Sequence, residues 1–562
     1  YPDDGDFLVR VQLTADLKPA TGYPLLEVSV GYQVDTEILM CEFDLVEVTS
    51  PESQTFEFRG RLENFPLPVR GQGKFPGLVV RVRNVYDDKS PLPTPQKDAG
   101  GKTTYPGEAH LPILMIQSVE FHGNTYAQWP PDSHRRILFD APGVDPEDTA
   151  YVAEVLQRFM TRAFRRNVTE AEVARFVAFY QEIRREFPSF EETIRETLAM
   201  VLIQPDFLFL LEPAGDEKRS LDEFELASRL SYFLWSTLPD ERLIELATAG
   251  TLRANMAGEV ERMLADRRAQ RFVQQFTDQW LRLNVVDNVA VNRDRFPGFD
   301  DRLKQDMCAE THTVFAELLR ENLSATQLLA ADFTMLNEPM AKHYGIEGVF
   351  GRSFRRVPLS PELHRGGLLS HASILLSNST GADSHPVRRA VWIRDRLLND
   401  PPAPPPPNVP SLEEANPEFH RLSVREQLEI HRTVESCNQC HRSLDPWGIA
   451  LENFDAVGKW RTDIPQSAGD GANVQSVNAT VVLPDGREVA GADGLREYLA
   501  GDRKQQFARS LVSRLLTYAL GRSLELTDQS AVDNVLEQFA EDDYRLKGLI
   551  HKIVLSEPFQ TK

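Results

Sequence analysis

Residues 437–461 read CNQCHRSLDPWGIALENFDAVGKWR, and this segment predicts a helical C-terminal module built around a cofactor. It opens with the Cys-x-x-Cys-His pattern at Cys437, Cys440 and His441, which is typical of covalent haem c attachment. Two intervening residues let both thiols reach the porphyrin from one helical turn, and the adjacent histidine can ligate the iron. The sequence therefore predicts one covalent haem c, held by Cys437 and Cys440, with His441 as iron ligand.

Two other uses of the paired cysteines remain open at this stage. A redox dithiol is expected after a strand in a βαβ unit, whereas a polar helix over 424–435 is predicted before this motif. A structural zinc site needs two further ligands, and His431 is the only near candidate. Haem c is the interpretation that the full five-residue pattern favours.

The second axial position of the iron decides between an electron carrier and an enzyme, because an enzyme keeps that position open. The chain has no methionine after Met340, so a local methionine ligand is excluded. His431 is the nearest candidate ligand, with His385 and His371 as alternatives. Each of the three is also compatible with an ordinary helix or core histidine.

Haem propionates need cationic or amide partners where they are partly buried. The candidate cofactor-binding residues beyond the motif are Arg388, Arg389, Trp460 and Arg461. Ordinary ion pairing is the competing interpretation of the arginines. Asp445, Pro446 and Gly448 are expected to shape a turn after the haem helix.

At the other end of the chain, the first 128 residues have the pattern of a β domain. Short apolar runs begin near Phe7, Leu25, Thr55, Leu78 and Leu111, and Gly, Pro, Asp and Asn clusters separate them. This spacing predicts a jelly-roll-like β-sandwich. Residues 87–107 are expected to form a long exposed loop.

From about residue 146 the apolar period becomes helical and remains so for about 200 residues. Capping boxes are predicted at Thr169–Glu172, Ser189–Glu192 and Ser220–Glu223, and Gly250 and Gly345 are placed to end helices. The fold class is therefore multidomain α+β, with an N-terminal β-sandwich, a mainly α-helical region and a C-terminal haem c module. The predicted domains are 1–128, 129–215, 216–350, 351–465 and 466–562.

The C-terminal third contains a predicted spacer, a hairpin and three helices. Seven prolines in residues 401–410 predict a stiff polyproline II spacer. Val481–Val489 is expected to be a hairpin that turns at Pro-Asp-Gly, and three helices are expected near 504–520, 527–540 and 543–555.

Composition limits the partners. The 562-residue chain has a formal net charge of −22, which disfavours binding to nucleic acid or to anionic lipid. It has no apolar run of about 18 residues, so no transmembrane segment is expected. The sequence starts without methionine or a signal peptide, as expected for a mature or truncated form from which any export signal has been removed. Whether Cys41 and Cys308 pair is left open.

Several motifs resemble one known group of proteins. Residues 437–461 look like the planctomycete-type cytochrome c proteins of the DUF1592, DUF1588 and DUF1585 group. Residues 162–208 are similar to the DUF1595 module, 226–345 to DUF1592, 365–461 to DUF1588 and 515–559 to DUF1585. Where relatives carry Thr-Ser-Pro, this chain has Ser384, His385 and Pro386.

The resemblance implies an exported bacterial protein, periplasmic or extracellular, but supplies no established reaction. The haem c motif predicts that this protein is a mono-haem c-type cytochrome that acts in electron transfer. Its partner would be a redox protein or a membrane complex, and the β domain could contact carbohydrate. Whether the protein is an enzyme is left open. The alternatives are a haem oxidoreductase, peroxidase-like or polysaccharide-oxidising, and a haem-bearing structural subunit of a larger assembly.

Overall fold

The structure is a computed structural model that describes residues 5–17, 22–34, 37–43, 45–62, 78–86, 96–97, 103–104, 111–126, 128–210, 218–403, 424–465 and 474–562. The chain forms two compact units. The first comprises Tyr1–Ala141 and Asn337–Ser353, and the second comprises Pro142–Leu336 and Phe354–Lys562. The fold is mixed α+β, with small sheets at the N-terminus and a helical remainder, as the sequence predicts.

Small antiparallel sheets form the first unit. Their strands are β1 (Asp6–Asp16), β2 (Leu25–Val34), β3 (Glu37–Glu42), β4 (Val46–Glu47), β5 (Gln54–Arg61), β6 (Leu78–Asn84), β7 (Gln96–Lys97), β8 (Thr103–Thr104) and β9 (Ile113–Thr125). One sheet has the order β5-β1-β9; in a second, β2 pairs with β3, β4 and β6; β7 and β8 form a separate pair. All five apolar runs of the sequence coincide with strands.

Alternation along two strands creates the core of this unit. Phe7, Val9 and Val11 of β1 are buried while the residues between them are more exposed, as expected for a strand with one face on the core. Val28 and Val30 of β2 belong to the same apolar cluster. Side chains from both main sheets therefore share one core.

A short insertion from the middle of the chain completes the first unit. Helix Glu338–Tyr344 lies within residues 337–353, which group with the β-rich segment. The Glu338 carboxylate is buried and accepts hydrogen bonds from the Tyr86 hydroxyl (3.1 Å) and the Gly351 amide (2.7 Å). On either side of the insertion, the chain forms the two-stranded sheet of β10 (Phe333–Leu336) and β11 (Arg355–Pro358) in the second unit.

Helices dominate the chain from residue 132 onward. In chain order they are α1 (Asp132–Arg135), α2 (Thr149–Phe164), α3 (Glu170–Ile183), α4 (Phe190–Leu202), α5 (Pro205–Leu208), α6 (Glu223–Trp235), α7 (Glu241–Thr248), α8 (Leu252–Ala265), α9 (Ala269–Leu281), α10 (Asp301–Arg320), α11 (Glu338–Tyr344), α12 (Ala372–Ser377), α13 (Pro386–Trp392), α14 (Val424–His431), α15 (Glu435–Ile449), α16 (Gly491–Ala500), α17 (Lys504–Leu520), α18 (Gln529–Glu541), α19 (Leu546–Leu555) and α20 (Glu557–Gln560). Among the described residues, no helix has the length and apolar character needed to cross a bilayer.

Helix starts mostly follow the predicted caps. Thr169 forms the complete capping box with Glu172, and the Ser189 hydroxyl accepts the Glu192 amide. The prediction at Ser220 is wrong: Asp222 caps α6 instead. The reason is that the backbone around Ser220 pairs with the end of the chain, since the Leu221 amide donates to the Gln560 carbonyl.

The C-terminal elements agree with the sequence pattern. Strands β12 (Asp463–Pro465) and β13 (Val474–Ser476) pair with each other, and β14 (Thr480–Val482) and β15 (Glu488–Ala490) form the predicted hairpin. Gly486 in its turn has a φ of +88°. The three predicted terminal helices are confirmed as α17, α18 and α19. The polyproline prediction lies outside the described residues beyond 403, as does most of the loop predicted over 87–107.

Candidate haem attachment site

The Cys-x-x-Cys-His motif lies at the start of α15. The Val434 carbonyl accepts hydrogen bonds from the amides of Cys437 (3.0 Å) and Asn438 (2.9 Å), which begins the helix. Cys437 is half-buried, Cys440 is exposed, and both are free thiols. Residues three apart share one helix face, so both sulfur atoms are presented from a single turn.

A buried carboxylate orients the histidine of the motif. The Nδ1 atom of His441 lies 2.8 Å from Oδ1 of Asp445, one helical turn later. Asp445 is completely buried, whereas 21% of the His441 side chain is exposed. A carboxylate on Nδ1 fixes the ring and leaves Nε2 available to a metal, which is the arrangement that second-shell partners of ligating histidines adopt.

The other oxygen of Asp445 is under-satisfied. Asp445 Oδ2 is buried without a hydrogen bond, and the Arg432 Nε atom is 3.8 Å away. The turn predicted at Asp445, Pro446 and Gly448 is wrong, because α15 continues through all three residues to Ile449. The i, i+4 spacing of His441 and Asp445 on one helix is the signal that could have identified the pair.

His431 is adjacent to His441. Their ring centroids are 4.7 Å apart and the rings are nearly perpendicular, at 79°. Burial lowers the pKa of His431, and the neighbouring His441 lowers it further. In this arrangement the two rings are in contact, which leaves no room for a porphyrin between them. For His431 to ligate the iron, α14 would have to separate from α15. The role of His431 as an iron ligand stays a prediction.

The other two candidate histidines lie in different surroundings. His371 is buried and its Nδ1 atom is 2.9 Å from the Thr311 hydroxyl. His385 caps α13, because its Nδ1 accepts the Arg388 amide at 3.4 Å. Burial lowers the pKa of His385 to about 4, and the Arg388 charge contributes to the lowering.

Arg389 is a buried cross-link. Its guanidinium donates to the carbonyls of Leu451 (2.8 Å), Phe454 (2.8 Å) and Asp455 (2.7 Å), and it is almost completely buried. Burial lowers its pKa to about 10. The guanidinium therefore ties α13 to the segment that follows α15.

Arg388, Arg461 and Trp460 have contacts around the same segment. Arg388 donates to the Ser379 carbonyl at 2.9 Å, and Arg461 pairs with the buried Glu452 carboxylate at 3.2 Å. The Trp460 indole stacks on His364 with centroids 4.0 Å apart and an angle of 11°. Their predicted contacts with haem propionates stay a prediction.

The C-terminal half of α15 is packed into the helical core. Leu444 and Trp447 are buried, while Cys440 is exposed, so the helix carries its motif at the core margin. Gly448 lies against α13, since a Cβ placed there would be only 1.8 Å from the Pro386 carbonyl oxygen. The motif thus projects from a rigidly packed helix.

The residues present fit a covalent haem c. Two free thiols share one helical turn, the next residue is a histidine whose Nδ1 is already bonded, and the bonding carboxylate retains a buried oxygen without a hydrogen bond. Over the described part of the chain, no group of three or more His, Cys, Asp or Glu side chains is arranged to hold a metal ion by itself. Cys308 is a free cysteine whose thiol pKa burial raises to about 12, whereas the side chain of Cys41 lies outside the described residues.

Comparison with protein families places this helix in a multi-module protein. Four family models match, each described as a protein of unknown function: DUF1595 at residues 151–212, DUF1592 at 221–346, DUF1588 at 365–464 and DUF1585 at 485–559. The model for DUF1588, which spans the Cys-x-x-Cys-His motif, carries the name PSCyt3, and this name indicates a cytochrome-like family.

The chain belongs to the group of proteins that combine these four modules, the group its sequence motifs resemble. No curated protein and no solved structure matches the chain significantly.

Proposed function

We propose that the protein is an exported mono-haem c cytochrome that acts in electron transfer, with haem attached at Cys437 and Cys440. The hydrogen bond between His441 Nδ1 and the buried Asp445 carboxylate is the observation that carries this proposal. A surface histidine in a helix needs no buried carboxylate, whereas a metal-ligating histidine needs a partner to fix its ring and its tautomer.

The residues of α15 would have separate tasks. The thiols of Cys437 and Cys440 would attach the cofactor, and His441 would ligate its iron. The Asp445 carboxylate, 2.8 Å from Nδ1, would hold the proton on that nitrogen and leave Nε2 for the iron. Haem bound in this way would supply reversible one-electron transfer.

The contacts of Arg389 favour a structural role in this proposal, since its guanidinium is committed to three backbone carbonyls. Arg388, Trp460 and Arg461 are more accessible, and we retain them as candidate cofactor contacts. The export assignment rests on the covalent haem c, which is assembled outside the cytoplasm. The five predicted domains remain our proposed division of the chain.

For the first unit we propose a β-sandwich, supported by the core that its two main sheets share. Carbohydrate contact is the proposed use of its aromatic surface. Trp129 is 72% exposed and meets Tyr126 edge to face with centroids 5.1 Å apart. Exposed aromatic rings of this kind can stack on the apolar face of a sugar.

The proposal is tested by pyridine haemochrome spectra of protein expressed with a c-type maturation system. The wild-type chain should show haem c that resists acid–acetone extraction. The Cys440→Ser variant should retain a single thioether, with a shifted haemochrome band, and the double Cys437→Ser/Cys440→Ser variant should release its haem. Cys308→Ser is the matched control and should behave as wild type. A wild-type protein without any haem band would refute the proposal.

The second axial position is tested separately. A six-coordinate low-spin spectrum that cyanide leaves unchanged supports the electron carrier. If His431→Ala alone makes the iron five-coordinate, His431 is the second ligand. Cyanide binding by the wild-type protein would instead favour the haem oxidoreductase.

A further inference from the structure

A cleft in the helical unit lies outside the elements of the haem site. Its volume is about 580 Å³, and it opens between α6, α9, the turn after α13 and α17. The side chains that matter for its chemistry are Tyr232, Gln275, Gln279, Arg396, Arg514 and Tyr518. Two tyrosines, two amides and the guanidinium groups of Arg396 and Arg514 thus face one space.

The cleft has an excess of positive charge. Asp395 is the acceptor for two arginines: Arg514 donates to its carboxylate at 2.8 Å, and Arg396 pairs with it at 3.0 Å. The Arg514 Nε atom is buried and donates no hydrogen bond. Arg522 also lines the cleft, but its charge is paired with Asp528. One carboxylate therefore serves two guanidinium groups, in a protein whose net charge is −22.

The electrostatic surroundings of Arg396 agree with this excess. Burial lowers the pKa of its guanidinium; the charges of Arg514 and Arg282 lower it further, against the opposing effect of Asp395. An additional anion in the cleft would relieve this repulsion, because opposite charges in a partly desolvated site attract strongly.

The backbone that presents Arg396 is unusual. Residues Ile393–Leu397 form a π-helical turn directly after α13. The Arg396 carbonyl accepts the Trp280 indole N–H at 2.8 Å, so the widened turn is held in place while the side chain lines the cleft. Single π-helical turns occur frequently at functional sites.

We propose that this cleft binds a small organic acid in which a carboxylate is attached to a six-membered ring. The guanidinium groups of Arg396 and Arg514 would take the carboxylate, since arginine matches carboxylate geometry. The rings of Tyr232 and Tyr518 would contact the apolar face of the ligand, and the amides of Gln275 and Gln279 its polar substituents. A sugar acid and an aromatic acid share this chemistry.

Isothermal titration calorimetry on the full chain distinguishes a sugar acid from an aromatic acid as the ligand. The probes are sodium glucuronate and sodium benzoate, with glucose as the uncharged counterpart. We expect one or both acids to bind with a Kd of about 1 mM or tighter, a value typical of ligands of this size. Glucose should bind at least about tenfold more weakly, because it lacks the carboxylate.

Substitutions then locate the site. Arg396→Gln should weaken acid binding by about tenfold or more, and Arg396→Lys by less, since lysine keeps the charge but not the planar fork. Arg509→Gln is the matched control, because Arg509 lies on α17 outside the cleft lining and pairs with Asp533. Circular dichroism of each variant checks that it is folded.

The outcomes are distinct. Binding of glucuronate alone identifies a sugar acid, and binding of benzoate alone identifies an aromatic acid. Absence of saturable binding by either acid, or equal binding by wild type and Arg396→Gln, overturns the proposal. Because the titration monitors neither haem nor electron transfer, its result is independent of the proposed cytochrome function.

Discussion

Replacing Asp445 with Asn tests the link between the buried carboxylate and the cofactor. The substitution preserves the size of the side chain and an oxygen that can accept the His441 Nδ1 proton at the present 2.8 Å, but it removes the negative charge. A charged acceptor makes the imidazole a stronger electron donor, which favours the oxidised iron. Asp445→Asn should therefore raise the midpoint potential.

The magnitude follows from the hydrogen bond. A hydrogen bond to a charged group contributes about 1.5–3 kcal/mol, and about 1.4 kcal/mol corresponds to 59 mV for one electron. Loss of the entire charge-dependent part would thus shift the potential by at most about 130 mV, and we expect an increase of about 30–100 mV.

Spectroelectrochemical titration of the haem-loaded protein measures this shift directly. Asp463→Asn is the control, since the exposed Asp463 carboxylate bonds to the hydroxyls of Thr462 and Ser476 and should leave the potential unchanged. A potential within a few mV of wild type in Asp445→Asn, with haem attached and an unaltered spectrum, would refute the assigned role of Asp445. So would a decrease.

Other predictions concern stability. Arg389→Met should lower the free energy of unfolding by about 3–5 kcal/mol in urea titrations, because three buried carbonyls lose their donor; a loss below about 1 kcal/mol would contradict it. Gly448→Ala should lower the thermal midpoint, because its methyl group would collide with backbone, whereas Gly258→Ala, in open space on α8, should preserve or raise it; equal midpoints would contradict the packing argument. His385 has a pKa of about 4 in the fold and about 6.5 when unfolded, so between pH 7 and 5 the unfolded state takes up the proton and stability falls by about 2 kcal/mol. His385→Asn keeps a capping oxygen without titrating and should lose less stability over that range; an identical loss would assign it to other groups.

Local patterns predicted the elements of this fold well. Thr169 and Gly486 each needed only their immediate neighbours to specify a cap or a turn, and both are confirmed. The capping box predicted at Ser220 was wrong because the backbone there pairs with residues near the end of the chain, more than 300 positions away. A pattern of about ten neighbouring residues cannot reveal such a long-range pairing.

The candidate site was predictable to the same extent. Cys437, Cys440 and His441 follow from a five-residue pattern. Asp445 was missed because proline at 446 suggested a turn, whereas the helix tolerates it and places the carboxylate under the histidine. The three carbonyls that receive Arg389 come from a loop more than 60 residues away, so its burial could not be predicted from its own segment.

The insertion at Asn337–Ser353 also limits the order in which the two units can fold during synthesis. Residue Glu338 provides buried acceptors for Tyr86 and Gly351, so the β-rich unit lacks part of its interior until the ribosome has passed residue 353. The segment Pro142–Leu336 of the helical unit is therefore synthesised before the β-rich unit can complete its fold. A fragment cut at residue 141 should therefore be unstable or aggregate, whereas co-expression with a peptide of residues 337–353 should increase its soluble yield.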